Sequence, residues 1–290
     1  GRSVTLSGGN RSVLKARFGH AGLSGKWGWK LSGDHQTGHS FELVTTYQNP
    51  DTTSAIRSVT DDPDFDARYS TAGGGLYYYP DDRSSLSLTA GITSIKEVEF
   101  NSRGTGQPFN YINHYQQVTY RDDRTYVTLY HTGDDPVNYV PLGTNGRVGG
   151  LFRGLTREEA DAEARFPSAS TWSFWEAEAR RSFPISALGS GEGTVGVNLR
   201  HDRVVAPGLT PVDDAVAQKL MGVYGLLNLD LTDMWRLSVA GRVDWHDVYS
   251  LQVSPKASLI RRLADTATLR FSFNRAYASP TCAVDHSPSG

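Results

Sequence analysis

The sequence is poor in the residues that mark several common protein classes. It has one cysteine in 290 residues, Cys282, so a disulfide framework is not predicted. It has no apolar run of about 18 residues, so a membrane-spanning helix is not predicted either. Lysine plus arginine (29) nearly balances aspartate plus glutamate (31), and the formal charge of −2 leaves no basic excess for binding nucleic acid. Glycine, in contrast, is abundant at 30 residues.

Motifs for catalysis and metal binding are missing as well. The chain has no Gly-x-Ser-x-Gly, no P-loop and no His-Glu-x-x-His, so we predict no enzymatic activity, no cofactor and no bound metal. The acidic run Asp61-Asp62-Pro63-Asp64 could offer oxygen ligands to calcium. It lacks EF-hand spacing, so a solvated loop is the favoured interpretation.

Alternation of apolar and polar residues is the pattern that dominates the chain. It is clearest between Trp235 and Pro280, where Leu237 and Val239 alternate with Arg236 and Ser238. Side chains of a strand switch face at every residue, so period two predicts strands with one apolar and one charged face. The same pattern recurs along the sequence and predicts about 13 strands. Two of them are expected at 172–181 and 194–205, joined by a medium turn near 188.

The connections between these strands fall into two classes that alternate. Short turns are predicted near residues 25, 81, 123, 233 and 264, and long loops at 36–65, 100–112, 133–170 and 206–217; the connection at 247–251 is shorter. Antiparallel strands that run up and down place alternate connections at opposite ends of the sheet. This sorting predicts an all-β fold, an antiparallel up-and-down transmembrane β-barrel.

One helix is expected within the longest loop. Thr156 and Glu159 have the spacing of a capping box, in which each side chain bonds to the backbone of the other residue. We place a short helix at about 157–165, before Pro167.

Charged side chains on the polar face are the first candidates for a functional surface. By alternation they face the lumen of such a barrel, where they contact either water or protein that fills the barrel, or else line a substrate path; the first of these is the favoured interpretation. Loop aromatics could stack on a ligand, and we select Phe109, Tyr111 and Tyr139. The predicted lumen-facing charges are Lys15, Arg17, Lys30, Glu176, Glu178, Arg180, Arg200, Arg242, Lys256 and Arg270.

Two segments near the C-terminal end carry a family resemblance. Ser254-Pro255-Lys256-Ala257 and the later run 273–281 (FNRAYASPT) resemble strand segments of TonB-dependent outer-membrane receptors, as does the turn Tyr77-Tyr78-Tyr79-Pro80-Asp81-Asp82. The resemblance implies a barrel of about 22 strands with a plug inside. About 13 are predicted here, so we expect residues 1–290 to be a partial barrel domain without the plug and the last strands.

The resemblance also implies a function. Receptors of this family import scarce nutrients such as iron–siderophores, cobalamin or glycans through the cell outer membrane of Gram-negative bacteria. The implied partners are outer-membrane lipid, the plug domain of the same full-length chain, the TonB energy-coupling complex and a small-molecule ligand. Three alternatives remain open: a passive porin-like channel, a soluble all-β binding protein, and an outer-membrane hydrolase with serine and histidine in contact on the outer face.

Overall fold

The computed structural model describes residues 1–40, 45–61, 64–97, 99–101, 104–109, 111–135, 138–142, 146–164, 171–186, 190–205, 215–264 and 266–277. Neither helix in these ranges has the length and apolar composition needed to span a membrane. The elements in chain order are β1 Arg2–Gly8, β2 Leu14–Ser24, β3 Trp27–His39, β4 Thr45–Gln48, β5 Ser58–Asp61, β6 Asp66–Asp81, β7 Ser84–Lys96, β8 Glu99–Asn101, β9 Gly104–Phe109, β10 Tyr111–Arg121, β11 Thr125–Asp134, β12 Asn138–Pro141, α1 Arg147–Phe152, α2 Arg157–Ala164, β13 Thr171–Ile185, β14 Ser190–Val205, β15 Val216–Thr232, β16 Trp235–His246, β17 Gln252–Ala264 and β18 Ala267–Asn274.

Thirteen of these strands form one antiparallel sheet. Its order is β1-β2-β3-β6-β7-β10-β11-β13-β14-β15-β16-β17-β18, so every strand pairs with the strands next to it along the chain once the loop elements are set aside. The predicted up-and-down strand order is confirmed. The remaining strands form two small sheets, β4-β5 and β12-β9-β8, which are inserted in the long connections.

The long connections all lie at one end of this sheet, together with the short connections 9–13 and 247–251, and the tight turns lie at the other end. We call the end with the connections at 25–26, 82–83 and 122–124 the turn end, and the opposite one the loop end. The loop end carries the first loop, 40–65, which contains the β4-β5 hairpin. It also carries the third loop, 135–170, which contains β12, α1 and α2.

Side-chain oxygens define the tight turns at the turn end. The Asp122 carboxylate accepts the backbone N–H groups of Arg124 (2.7 Å) and Thr125 (2.6 Å), and Asp81 accepts those of Arg83 (2.9 Å) and Ser84 (2.8 Å). Such local bonds satisfy amides that the ladder leaves unpaired, so short polar sequences reverse the chain in a fixed register.

The β13–β14 hairpin is longer than the sequence predicted. Pairing continues to Ile185, which pairs with Gly191, because Gly191 and Gly193 belong to the strand and not to the turn. A Cβ atom on Gly193 would lie 2.6 Å from the Phe183 ring, so glycine makes room for the aromatic side chain of the partner strand. The strand ends predicted at residues 181 and 194 are therefore wrong, and the turn between them is shorter than the sequence analysis predicted.

The sheet has one apolar and one polar face. Many large apolar side chains on the apolar face are roughly half exposed, among them Leu88 (51%), Leu129 (45%) and Val223 (51%). A continuous apolar surface of this extent is unfavourable in water and is typical of a strand wall that faces lipid. No second sheet covers this face in the part of the chain that the structure describes, as a soluble sandwich would require.

Most of the small buried core lies in the third loop. Val140, Leu142, Val148 and Ala160 are essentially inaccessible to solvent there. The predicted helix is present as α2, and its capping box is formed: the Thr156 N–H donates to the Glu159 carboxylate (2.8 Å), and the Glu159 N–H donates to the Thr156 hydroxyl (3.3 Å). The sequence did not predict α1 or β12.

Candidate ligand-binding face and outer loops

The strand register places all ten predicted charges on the polar face. Lys15 and Arg17 of β2 share it with Lys30 of β3, and the cross-strand pairs Glu176–Arg200 and Ala240–Lys256 continue it toward β17. Directly paired residues of antiparallel strands point to the same side of the sheet, so one face can be followed from β2 to β18. The register does not test whether these charges contact a ligand.

Several of these charges are neutralised by neighbours on the same face. Arg17 Nε lies 2.9 Å from Asp34, and Lys15 Nζ lies 3.5 Å from the same carboxylate oxygen. Arg242 Nε donates to both oxygens of Asp244 at 2.8 Å. These pairs favour the interpretation that much of the predicted charge serves the wall itself.

Further contacts on the polar face extend this network. Arg200 binds Asp202 at 2.9 Å and lies 3.9 Å from Glu176. The Tyr224 hydroxyl donates to Glu178 at 2.6 Å. The contacts of Arg200 join residues within β14 or between β14 and β13, and the Tyr224 contact reaches from β15 past β14 to β13, so the network adds polar links across all three strands.

A cavity of about 990 Å³ opens on the polar face toward the turn end. Carboxylates and cations line it, including Glu178, Arg180, Arg242 and Lys256, and the turn 121–126 forms one side. This mixed lining offers hydrogen-bond donors, hydrogen-bond acceptors and charges of both signs, so it suits a polar protein surface better than an apolar ligand.

Aromatic side chains gather on the polar face nearer the loop end, where the sequence analysis did not place them. The ring centroids of Trp172 and Phe174 are 5.2 Å apart, and those of Phe174 and Tyr130 are 5.5 Å apart. Tyr115 stacks on Tyr130 at 6.3 Å, and the Arg200 guanidinium lies 4.4 Å from the Phe174 centroid. We call these five residues the aromatic–arginine cluster. It combines flat apolar surface with a guanidinium whose charge is balanced by Asp202.

The three aromatic residues selected from the sequence lie near the loop end as well. Tyr111 begins β10, is half-buried, and pairs with Ile95 on the polar face. Phe109 and Tyr139 occupy neighbouring strands of the β12-β9-β8 sheet, where Asn138 pairs with Phe109 and Tyr139 pairs with Pro108. Alternation along β13 places residues 172 and 174 on the same face as Glu176, so the sequence could have indicated part of the cluster. Its complete assembly depends on the register of four strands.

A buried ion cluster joins the first and third loops. Arg147 of α1 is 1% exposed; its Nη1 donates to Asp61 of β5 at 3.2 Å, and its Nη2 donates to Asp161 of α2 at 3.2 Å. Burial raises the pKa of the Asp61 carboxyl, an effect that Arg147 opposes. The interpretation of Asp61 as a solvated loop residue is therefore wrong.

Asp64 is the other residue of the predicted acidic run that the structure describes. Asp64 forms an ion pair with Lys96, and residues 62 and 63 lie outside the described ranges. Within those ranges, no group of three or more histidine, cysteine, aspartate or glutamate side chains is arranged to hold a metal ion.

One serine–histidine contact occurs on the apolar face. His35 Nδ1 lies 2.8 Å from the Ser70 hydroxyl, and the two residues are directly paired across β3 and β6. Among the described residues, the His35 ring makes this one hydrogen bond, so no carboxylate or amide orients it as in a catalytic triad. An ordinary cross-strand hydrogen bond accounts for the contact.

Comparisons with known proteins agree with this architecture. The PirA siderophore receptor of Pseudomonas aeruginosa superposes with a TM-score of 0.63 at 15% identity, over 97% of this chain and 43% of that one. A mutant of the ferric enterobactin receptor PfeA of the same organism gives 0.68 at 16% identity, over 96% and 43%. PirA of Acinetobacter baumannii gives 0.64 at 14% identity, over 96% and 42%.

The chain thus spans less than half the length of these solved structures, and identities this low reveal the fold alone. No match is found among curated protein sequences. The family described as "TonB dependent receptor-like, beta-barrel" matches residues 3–287, which is nearly the whole chain. The chain therefore belongs to the TonB-dependent receptor family, of whose β-barrel it forms a part.

Proposed function

We propose that this chain forms barrel wall and outer loops of an outer-membrane receptor that imports an iron–siderophore complex. Membership of the TonB-dependent receptor family supports transport, and the structural relatives are named as siderophore receptors. In this proposal a plug domain of the full-length protein fills the barrel and couples it to the TonB energy complex. The wall performs no bond chemistry.

The aromatic–arginine cluster is the observation that carries the choice of ligand class. Its rings offer stacking surface, and the flat guanidinium of Arg200 extends that surface beside Phe174, with its charge balanced by Asp202. An iron chelate with flat aromatic groups could stack on this surface. Cobalamin and glycans remain the competing ligands, because they too are large nutrients that such receptors can take up.

The cavity near the turn end supports the proposed plug contact. Its lining contains charges of both signs, with Glu178 and Arg242 among the residues that face it. A folded plug could form hydrogen bonds and ion pairs with such a surface without burying unpaired charge. The turn end would then be the periplasmic side, where outer-membrane barrels have their short turns.

Placement in the outer membrane is supported by the height of the apolar face. Trp235 and Trp245 lie on that face at the two ends of β16, ten residues apart. At about 3.3 Å per residue this separation is roughly 33 Å along the strand. A strand tilt of about 40° reduces it to roughly 25 Å, the height of the lipid-facing band of such barrels.

Uptake of labelled iron by whole cells tests the proposal. The full-length gene product is produced in a Gram-negative host that lacks its own siderophore receptors, with and without a functional TonB. We expect uptake of ferric catecholate siderophore that requires TonB. Uptake that continues without TonB would identify a passive channel, and TonB-dependent uptake of cobalamin or glycan alone would overturn the ligand class.

Two variants of β13 test the ligand site. Phe174→Ala removes a ring that contacts Arg200, Trp172 and Tyr130. We expect the siderophore concentration that half-saturates uptake to rise roughly tenfold. Phe183→Ala removes a ring from the apolar face of the same strand and should leave uptake unchanged. Equal behaviour of the two variants would exclude the cluster as the ligand site.

A further inference from the structure

A shallow groove of about 340 Å³ lies on the apolar face near the loop end. Trp175 of β13 and Trp245 of β16 form two of its sides and are each about half exposed, at 48% and 51%. Leu199 and Met221 lie between them, and the small side chain of Ala177 leaves the depression. The groove is apolar and is open to whatever covers this face of the sheet.

Cationic side chains stand at one edge of this groove. Lys219 is directly paired with His201, and His201 is directly paired with Trp175, so the three follow one another across β15, β14 and β13. Arg203 is on the same face, two residues beyond His201 toward the loop end. Cross-strand neighbours are about 5 Å apart, and residues two apart in one strand are about 7 Å apart, so these charges are close together.

Lys219 and Arg203 at this edge have no side-chain ion pair among the described residues; the Asp247 carboxylate accepts the backbone N–H of Lys219 at 2.9 Å. Both side chains are exposed. By contrast, Arg17, Arg200 and Arg242 on the polar face are all paired. Two unpaired cations beside an apolar groove complement a ligand with an anionic head and a hydrocarbon tail.

We propose that this groove binds an anionic membrane lipid whose head group carries phosphate. The acyl chain lies between Trp175 and Trp245, and the phosphate contacts Lys219 and Arg203. The inference rests on the proposed membrane placement and on no feature of the transported ligand. A lipid held in this groove differs from a general attraction of cations to a charged membrane, because only binding in the groove depends on the shape of the groove.

Lipid retention measured by native mass spectrometry tests the charged edge. The full-length protein is purified in detergent doped with phosphatidylglycerol or with zwitterionic phosphatidylcholine, and inorganic phosphate is added in a separate arm. Each cation near an anionic lipid contributes roughly a fivefold effect, so Lys219→Ser with Arg203→Ser should weaken phosphatidylglycerol binding about 30-fold. The matched control is Arg68→Ser with Arg261→Ser, which removes two cations from the same face elsewhere.

A second pair of variants tests the groove. Ala177→Phe fills it, and Ala179→Phe adds the same ring two residues away on the same face, outside the groove. We expect lost selectivity for phosphatidylglycerol in the first variant only, with thermal unfolding midpoints showing that both remain folded. The inference would be overturned if the control pair Arg68→Ser with Arg261→Ser weakened phosphatidylglycerol binding equally, or if Ala177→Phe kept its selectivity. Displacement of the lipid by inorganic phosphate would also overturn it. Iron uptake is measured separately, so a receptor that transports without retaining this lipid refutes only the lipid site.

Discussion

Arg147 of α1 and Asp61 of β5 form a buried ion pair that ties together two loops at the loop end of the sheet. The side chains are 1% and 5% exposed, and Asp161 supplies a second carboxylate to the same guanidinium. Desolvation of buried charges offsets much of their attraction, so the net stabilisation by such a cluster is small. Its effect is specificity, because the guanidinium has its partners only when β5, α1 and α2 are correctly docked.

Removal of the cation should therefore separate the two loops. Arg147→Met leaves the buried Asp61 carboxylate without its partner, and breaking a buried pair in this way costs about 3–5 kcal/mol. We expect faster proteolysis of both the first and the third loop in the full-length protein, with an intact barrel. Arg153→Ala is the control, because its pair with Glu163 is exposed and should contribute little. Faster cleavage in the third loop alone would show that the pair does not couple the loops.

The capping box of α2 gives the third loop a predictable response to acid. Hydrogen bonds from the Thr156 backbone N–H and hydroxyl lower the pKa of Glu159 below its ordinary value of 4.5. A lowered folded-state pKa adds stability above the ordinary value, and this contribution disappears as the pH falls through the lowered one.

Amide hydrogen exchange of residues 157–164, corrected for intrinsic rates, measures this response. We expect protection to fall in acid below pH 4.5, and we expect Glu159→Gln to show a flatter profile because it has no carboxyl to protonate. Thr156→Ala should lower protection at neutral pH, since it removes the hydroxyl that caps the helix. An unchanged profile in Glu159→Gln would show that another group governs the acid response.

The strands could be predicted from sequence because their signal is local. Alternation in stretches such as Leu86 to Ile92 reflects the two environments of one strand, and Asp122 and Asp81 mark turns within a few residues of their bonding partners. The same local logic predicted α2 from Thr156 and Glu159. Each of these features is complete within a short segment, so no knowledge of distant contacts is needed.

The loop docking and the aromatic–arginine cluster could not be predicted in this way. Arg147 and Asp61 are 86 residues apart, and nothing near either residue indicates the other. Asp61 stands in an acidic run that is normally solvated, and only burial against α1 changes its role. The cluster likewise joins β10, β11, β13 and β14, so it depends on a register that alternation alone does not supply.

Gly196 provides a test of close packing on the polar face. A Cβ atom at this position would lie 2.3 Å from Cζ of Tyr224, the ring that donates its hydroxyl hydrogen bond to Glu178. Gly196→Ala should displace the ring and break that bond, at a cost of about 1–3 kcal/mol. Thermal unfolding of the full-length protein in detergent measures the loss.

A double variant isolates the cause. Gly196→Ala combined with Tyr224→Ala should be no less stable than Tyr224→Ala alone, because the clash is gone. If the added methyl group is equally costly in both backgrounds, backbone effects and not the ring would explain the change.

The contact between His35 and Ser70 allows a direct test of the hydrolase alternative. A serine nucleophile needs a base that is itself oriented and stabilised as it takes up a proton, and the His35 ring has one hydrogen bond, to Ser70, within the described residues. We therefore expect purified full-length protein to hydrolyse neither a soluble ester nor phospholipid above the level of empty detergent micelles. Ser70→Ala should leave this background and the uptake of iron unchanged. Ester hydrolysis that disappears in Ser70→Ala would establish an enzymatic function on the apolar face.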